Sequence, residues 1–580
     1  MKFLKTTEGV CENELNALAA SNINEWKSSN FCDTSESEII NKMTTEEKAR
    51  AFTTLIKFGT AGLRGKMLPG SSNMNKTTVA LATYALGKLI IDDNGSSMGV
   101  VIACDSRNNS ELYSKLSASI LASMGIKVYI FDSLRPTPEL SFALRFLGCK
   151  AGINITASHN TREYNGYKVY WEDGAQLPPT EAEKISSLIP TLSISDIKAP
   201  DFDRLVKEGK ITIIAEEIDR EYLNVLGQTV DADCIQKGAD TLRILYTPLH
   251  GAGYKLVPEA LQLAGFKNVK TVASQSIPDG DFPTVEKPNP QFIEAFSEAI
   301  SSKEECDLII ATDPDADRMG VAVADASGKY KTLSGNEIAL ILIDYIIRTK
   351  KANGTLPENS AVVKSLVSSA LAEVVCKENG VDIFNVYTGF KYIGEKIKEF
   401  EASGSHTFLF GFEESYGYLA GTYARDKDGV LASMLIAEAA CHYKLEEKSL
   451  LDALEDIYKN YGFWGEYWSE AVITAPDFKA ESARIMEKLR TNPCKNIAGE
   501  NLVTVTDWLS QTITNLATGK TEKLTTAPEN MLGYTLESGT RVIMRPSGTE
   551  PKIKLYYFIN SDTPDTAIKR RDEIKNALGF

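Results

Sequence analysis

Leu308-Ile309-Ile310-Ala311-Thr312 runs directly into Asp313-Pro314-Asp315-Ala316-Asp317-Arg318. A short apolar run that stops at a proline-containing acidic turn has the length and boundaries of a buried strand. Three carboxylates at alternating positions in a tight loop can converge on one hard cation, and oxygen ligands suit Mg²⁺. An EF-hand loop also begins D-x-D-x-D, but it needs Gly at its sixth position and Glu at its twelfth. Arg318 and Ala324 stand there instead, so that reading fails. The bland alternative is a solvated acidic turn, which mutual repulsion of the three Asp side chains makes costly without a counter-ion. Arg318 is placed to hold a phosphate that shares the metal.

Similar strands lie on either side. Gly99-Val100-Val101-Ile102-Ala103-Cys104 runs into Asp105-Ser106-Arg107, and Leu242-Arg243-Ile244-Leu245-Tyr246-Thr247 into Pro248-Leu249-His250-Gly251. Alternating with helical segments such as 432–443, they predict parallel α/β units. In open parallel sheets the chemistry gathers beyond the strand C-termini. From about Phe463 the pattern changes. Trp464, Trp468, the strand-like Tyr534-Thr535-Leu536 and Arg541-Val542-Ile543-Met544, and a closing helix over 566–578 predict a smaller α+β domain. Seams are expected in 190–210, 328–335 and 458–462, and 580 residues are too many for one core.

Bulk composition narrows the function. Hydrophobic residues make up 43% and charged residues 24% of the chain, as in an ordinary soluble globular protein. A formal charge of −15 argues against nucleic acid or an anionic membrane as the main partner, since both need a dominant positive field. The N-terminus turns polar at once, with no secretion-signal stretch, and the apolar segment 338–347 is interrupted by Asp344 and too short to span a bilayer. The 9 cysteines include no C-x-x-C pair, which fits idle thiols in a reducing compartment. The expected address is cytoplasmic.

Two further loops carry chemistry. Thr156-Ala157-Ser158-His159-Asn160 follows the apolar Ile153-Asn154-Ile155. A serine hydroxyl needs a base, a metal or a charged neighbour to act as a nucleophile, and the absence of a G-x-S-x-G elbow disfavours an α/β-hydrolase. With only 4 histidines in the chain, His159 gains weight. Arg545-Pro546-Ser547-Gly548-Thr549-Glu550-Pro551-Lys552 offers a guanidinium, two hydroxyls, backbone amides at a glycine and an ammonium, a set able to wrap a phosphate. On its own it would read as an ordinary turn. No Walker G-x-x-x-x-G-K-[ST] occurs.

In their order along the chain these loops resemble the α-D-phosphohexomutase superfamily. Phe58-Gly59-Thr60-Ala61-Gly62-Leu63-Arg64-Gly65 is similar to its N-terminal active-site segment, and 156–160 to its phosphoserine loop. Residues 313–318 resemble its metal loop, Gly411-Phe412-Glu413-Glu414-Ser415 its sugar-recognition loop and 545–549 its phosphate loop. The resemblance implies an α/β, four-domain architecture around a central cleft. Three related α/β domains with mixed sheets (1–210, 211–336 and 337–460) would be followed by a smaller α+β C-terminal domain (461–580).

It further implies that Ser158 carries a phosphoryl group and that Asp313, Asp315 and Asp317 hold Mg²⁺ together with it. Glu413 and Ser415 would bind sugar hydroxyls; Arg318, Arg545, Ser547, Gly548 and Thr549 would bind phosphate. His159, Lys168 and Lys427 are the candidate proton carriers, a lysine base needing a lowered pKa, and Arg64 joins the catalytic group. A sugar bisphosphate such as glucose 1,6-bisphosphate would serve as activator and intermediate. The partner is a small phosphosugar, with the enzyme a monomer or homodimer.

Thr161 stands where the family often has Pro, and Ser415-Tyr416-Gly417-Tyr418 lacks the histidine of mannose/glucose-type members. Residues 164–171, 281–285 and 288–290 resemble the long branch that includes phosphopentomutase and glucose-1,6-bisphosphate synthase. Glucose 1-phosphate to glucose 6-phosphate is the expected reaction. Mannose or ribose phosphates are the alternatives, then a silent sugar-phosphate-binding protein or a phosphatase.

Overall fold

The computed structural model describes residues 1–4, 7, 10–59, 62–475, 477–547 and 551–580. It falls into two compact units: Met1–Ile338, Asn359–Ser365 and Phe384–Leu450 form the first; Ala339–Glu358, Leu366–Ile383 and Leu451–Phe580 form the second.

The first sheet of the first unit contains β1 (Leu63–Lys66), β2 (Val100–Cys104), β3 (Val128–Phe131), β4 (Ala151–Ile155), β5 (Tyr164–Trp171) and β6 (Ile211–Ile214), in the order β1-β5-β4-β2-β3-β6. Strands β2, β3, β4 and β6 are parallel, and β2 and β4 are apolar almost throughout because helices cover both faces. One of those helices, Lys76–Asp92, starts at a capping box between Asn75 and Thr78. Strand β5 folds back antiparallel on β4 and sets Lys168 opposite Asn154, beside the segment that leads to Ser158. Strand β1 in turn pairs antiparallel with β5, with Arg64 opposite Gly166.

The second sheet contains β7 (Arg243–Thr247), β8 (Asn268–Thr271), β9 (Leu308–Thr312), β10 (Met319–Ala324) and β11 (Tyr330–Thr332), ordered β11-β10-β9-β7-β8. Here β7 pairs parallel with β8 and β9, but β9 and β10 form an antiparallel hairpin with Thr312 opposite Met319. The acidic loop is therefore a hairpin turn rather than the start of a helical crossover, and the sheets are mixed. A third sheet is built from β12 (Ser360–Ser365), β13 (Asp382–Val386, of which 384–386 belong to this unit), β14 (Thr407–Glu413) and β15 (Gly417–Leu419). Its β14–β15 turn carries Glu414, Ser415 and Tyr416, the last at φ 69°.

In the second unit an antiparallel sheet combines β16 (Phe463–Val472), β17 (Asn496–Ile497), β18 (Glu500–Asp507), β19 (Thr512–Asn515), β20 (Thr521–Lys523), β21 (Leu532–Leu536), β22 (Arg541–Pro546) and β23 (Lys552–Ser561). Helices Phe478–Thr491 and Pro564–Ala577 cover its apolar face around Leu532, Met544, Leu555 and Tyr557. Among the described residues no helix is long and apolar enough to cross a membrane.

Candidate active site

The acidic loop is pinned from two directions. Ala316 takes a left-handed backbone (φ 50°), and its N–H donates to Asp313 O at 2.8 Å. Ala252 N–H donates to Pro314 O at 2.7 Å, and Gly429 N–H donates to Ala316 O at 3.1 Å. A Cβ on Gly251 would stand 2.4 Å from Pro314 Cα, so only glycine lets the two loops touch.

That geometry buries Asp313, Asp315 and Asp317 with one oxygen of each within 4.8 Å of the others. Asp315 Oδ2 accepts from Thr137 Oγ1 at 2.7 Å and from Lys168 Nζ at 2.6 Å. Asp317 Oδ2 lies 2.9 Å from Lys427 Nζ and 3.2 Å from Lys168 Nζ. The other oxygen of each, Oδ1, is buried without a hydrogen-bond partner, a costly state that a cation would relieve. Burial, then repulsion from Asp315 and Asp317, pushes the Asp313 carboxyl well above its ordinary range. A buried all-oxygen set with free lone pairs fits a hard divalent cation.

Ser158 projects into the same place from the turn after β4. Its φ of 52° is strained for a residue with a Cβ, and its N–H is held by Thr156 Oγ1 at 2.8 Å. The hydroxyl donates to Asp313 Oδ2 at 2.7 Å and lies 3.2 Å from His159 Nδ1. Burial, followed by the charges of Arg318 and Arg64, holds the His159 pKa well below its usual value, so the imidazole is neutral. Arg64 Nη1 donates to Asn160 Oδ1 at 3.1 Å. Arg318 gives its backbone N–H to Asp313 Oδ1 at 3.0 Å and keeps its guanidinium 3.9 Å from Asp317 Oδ1.

Lys168 and Lys427 have raised pKa values. Burial alone would lower both, but Asp315 and Asp317 around Lys168, and Asp317 and Asp426 around Lys427, outweigh it. Both are ammonium ions in this arrangement, the opposite of the lowered pKa that a lysine base needs. Asp426 is itself fixed by Tyr170 Oη at 2.8 Å and Gln176 Nε2 at 3.1 Å. Glu413, at the end of β14, accepts from Gly389 N–H at 2.7 Å; burial and then Glu414 push its carboxyl up to about 7. It also feels Lys427 and Arg318, whereas Ser415 is half-buried in the following turn.

Ser158, His159, Arg64, Lys168, Arg318, Lys427, Glu413 and the Asp triad thus form one linked group. Arg545 and Ser547 belong to the second unit. Arg545 on β22 is 3.6 Å from Glu529, and Ser547 N–H donates to Lys552 O at 2.9 Å. Gly548 and Thr549 lie outside the described residues.

Sequence reading misses the buried pair beneath the serine. Arg107 donates to the carbonyls of Ser158, Asn160, Thr161 and Tyr164. Asp105 accepts from Thr156 Oγ1 at 2.6 Å, Ser110 Oγ at 2.9 Å and Arg107 N–H at 2.9 Å. The available signal is a D-x-R triplet immediately after an apolar strand.

Family models described as phosphoglucomutase/phosphomannomutase alpha/beta/alpha domains I, II and III match residues 55–194, 220–328 and 334–461. A curated phosphoglucomutase of Staphylococcus epidermidis is 35% identical over 93% of this chain and 97% of its own. The chain belongs to the phosphoglucomutase/phosphomannomutase family. It is accordingly a phosphohexomutase with three α/β domains followed by a β-rich C-terminal part. The fold is also that of Paramecium parafusin, a phosphoglucomutase (TM-score 0.66, 15% identity, covering 90% of this chain and 96% of that one). An Aspergillus fumigatus N-acetylphosphoglucosamine mutase, solved with GlcNAc-6P and magnesium, shares it more distantly (TM-score 0.51, 12% identity, covering 90% of this chain and 96% of that one). Within this phosphohexomutase the acidic hairpin turn and the serine loop are the parts whose side chains meet.

Proposed function

We propose that this phosphohexomutase interconverts glucose 1-phosphate and glucose 6-phosphate through a phosphoryl group carried on Ser158, in the cytoplasm, as a monomer or homodimer. The observation that carries the reading is the 2.7 Å contact between Ser158 Oγ and Asp313 Oδ2, inside a buried triad with unused carboxylate oxygens. Asp313, Asp315, Asp317 and phospho-Ser158 would hold Mg²⁺, which when bound offsets charge on the transferring phosphoryl.

In the first transfer a substrate hydroxyl oxygen bonds to phosphorus as the P–Oγ bond of phospho-Ser158 breaks; the hydroxyl proton leaves and Oγ gains one. The bisphosphate reorients, and its other phosphoryl returns to Ser158 Oγ by the same exchange in reverse. His159, neutral and 3.2 Å from Oγ, can accept a proton there. Lys168 and Lys427, both ammonium ions, can donate one. Arg318 faces the phosphoryl, Arg64 steadies Asn160 of the serine loop, and Glu413 with Ser415 receives sugar hydroxyls. Arg545, Ser547, Gly548 and Thr549 hold the phosphate that is not reacting. The domain division we propose is 1–210, 211–336, 337–460 and 461–580.

Activity with Mg²⁺ and a trace of glucose 1,6-bisphosphate, run in parallel on glucose, mannose and ribose 1-phosphates, tests the substrate. Glucose 1-phosphate should give the highest kcat/KM. A clear preference for either of the others would overturn that choice, and phosphate release matching isomer formation would make the protein a phosphatase.

Two residues give separate outcomes. Glu413 is charged only above about pH 7, and the carboxylate is the form that accepts two sugar hydroxyls. KM for glucose 1-phosphate should therefore rise as pH falls from about 8 to about 6.5, and Glu413→Gln should flatten that slope. An unchanged slope in the variant would remove Glu413 from sugar binding. Arg545→Ala should weaken phosphosugar binding by about 2–5 kcal/mol, as for loss of one partner of a desolvated charge pair. Calorimetric titration with glucose 6-phosphate reads it, and wild-type affinity would exclude this loop.

A further inference from the structure

The segment Asp279–Thr284, absorbed by no part of the site above, covers the arginine that holds the serine loop. Arg107 is buried and commits its guanidinium to the backbone of residues 158–164: Nη1 reaches Thr161 O at 2.9 Å and Tyr164 O at 3.0 Å, and Nη2 reaches Ser158 O and Asn160 O. Nε faces Asp105 Oδ2 at 3.2 Å. With its edges occupied, the guanidinium offers only its flat faces, and the Phe282 ring takes one, its centroid 5.0 Å from Arg107 Cζ. Phe282 is 3% exposed and sits at φ 46°, a left-handed conformation that a phenylalanine keeps only when its surroundings impose it.

Both ends of this contact are anchored. Asn108 Nδ2 donates to Asp281 Oδ1 at 3.0 Å, and a Cβ on Gly280 would fall 2.4 Å from Asn108 N, so the segment lies directly against the backbone after β2. On the other side Asp279 N–H donates to His250 O at 3.1 Å, and His250 Nε2 is 2.8 Å from Thr284 Oγ1. His250 precedes Gly251 and Ala252, which press on Pro314 of the acidic loop. A continuous path of contacts thus runs from Ser158 O through Arg107 and Phe282, along the segment Asp279–Thr284 to His250, and on through Gly251 and Ala252 to Pro314, beside Asp313. It joins two loops that come from different sheets and share no covalent neighbour.

We propose that Arg107 and Phe282 are positioning residues that hold Ser158 in register with the acidic loop. This rests on the assignment of Ser158 as phosphoryl carrier. The clamp sets how far Oγ stands from Asp313, and a displacement on the order of 1 Å at a reacting centre costs about 100-fold in rate. Both residues act through the backbone of residues 158–164 and touch no substrate.

Phe282→Leu keeps an apolar side chain but removes the ring face. Its kcat should fall about tenfold, with KM for glucose 1-phosphate unchanged and with more phosphate lost to water per turnover. Phe282→Tyr should restore both, since it restores the face. Arg107→Lys should lower kcat about 100-fold, because one ammonium cannot reach four carbonyls. Melting temperature is followed throughout, and the Phe282 pair carries the test where Arg107→Lys does not fold. Wild-type kcat and phosphate loss in Phe282→Leu would overturn the clamp. So would a loss of activity that follows melting temperature alone or is not rescued by Phe282→Tyr. Mass analysis of the wild-type protein after incubation with Mg²⁺ and glucose 1,6-bisphosphate separates the two assignments: no phosphate on Ser158 removes the carrier, and with it the purpose of the clamp.

Discussion

Ser158→Ala is expected to lower turnover by about 10⁵–10⁶-fold, the scale on which removing an enzyme's nucleophile acts. Alanine leaves neither an oxygen to carry the phosphoryl group nor a second route around it. The fold should survive: the hydroxyl makes one hydrogen bond to Asp313 and a weaker contact with His159, and a net hydrogen bond stabilises by about 1 kcal/mol. The anchoring bonds of the loop, from the Ser158 N–H to Thr156 Oγ1 and from Arg107 to the Ser158 carbonyl, use only the backbone of residue 158, which alanine retains. Activity within tenfold of wild type in a coupled glucose 6-phosphate assay would exclude Ser158 as the carrier.

Asp315→Asn should abolish metal-supported turnover almost as completely. Asp315 Oδ2 receives hydrogen bonds from Thr137 and Lys168, so the new amide must keep its oxygen there and turn its NH₂ to the place of Oδ1. That puts a donor where a cation needs a lone pair. The Mg²⁺ concentration for half-maximal activity should rise beyond the about 10–100-fold lost when only an outer partner of a metal ligand is removed. The variant also leaves Lys168 short of one buried counter-charge, although Asp317 remains 3.2 Å away. Melting temperature with and without Mg²⁺ separates the two effects: the wild-type rise on adding metal should vanish in the variant. An unchanged Mg²⁺ dependence would take this loop out of the metal site.

Much of this was legible in the chain because its chemistry sits at strand ends. The apolar run before Asp313 forms β9 residue for residue, the run Ile153–Ile155 before Ser158 is the end of β4, and the helix expected over 432–443 lies within Gly429–Leu445. Alternation of Asp at 313, 315 and 317 pointed to the three carboxylates that the turn brings together, although contacts from Ala252 and Gly429 hold it in that shape. Contacts that depend on distant chain segments were not legible. Lys168 reaches Asp315 across 147 positions and Thr137 reaches it across 178, distances that no local pattern encodes. Asp105 and Arg107 read as the polar end of a strand, since nothing in the triplet says that the guanidinium turns back under the next loop. The mixed sheets implied by the resemblance are present, but where the antiparallel return falls, at β10 after the acidic loop, was not legible, because an apolar strand followed by a turn looks the same whether a helix or a strand comes next. The lysine pKa values were equally out of reach, for they depend on which carboxylates the fold packs against each ammonium.

The most direct measurement is peptide-level mass spectrometry of the protein after incubation with Mg²⁺ and glucose 1,6-bisphosphate, repeated after adding glucose 1-phosphate. A single phosphoryl group should appear on Ser158, disappear in step with glucose 6-phosphate formation, and be absent from Ser158→Ala. Glucose 6-phosphate formed with Ser158 never phosphorylated, or with the phosphate on another residue, would contradict a mechanism that passes through this serine.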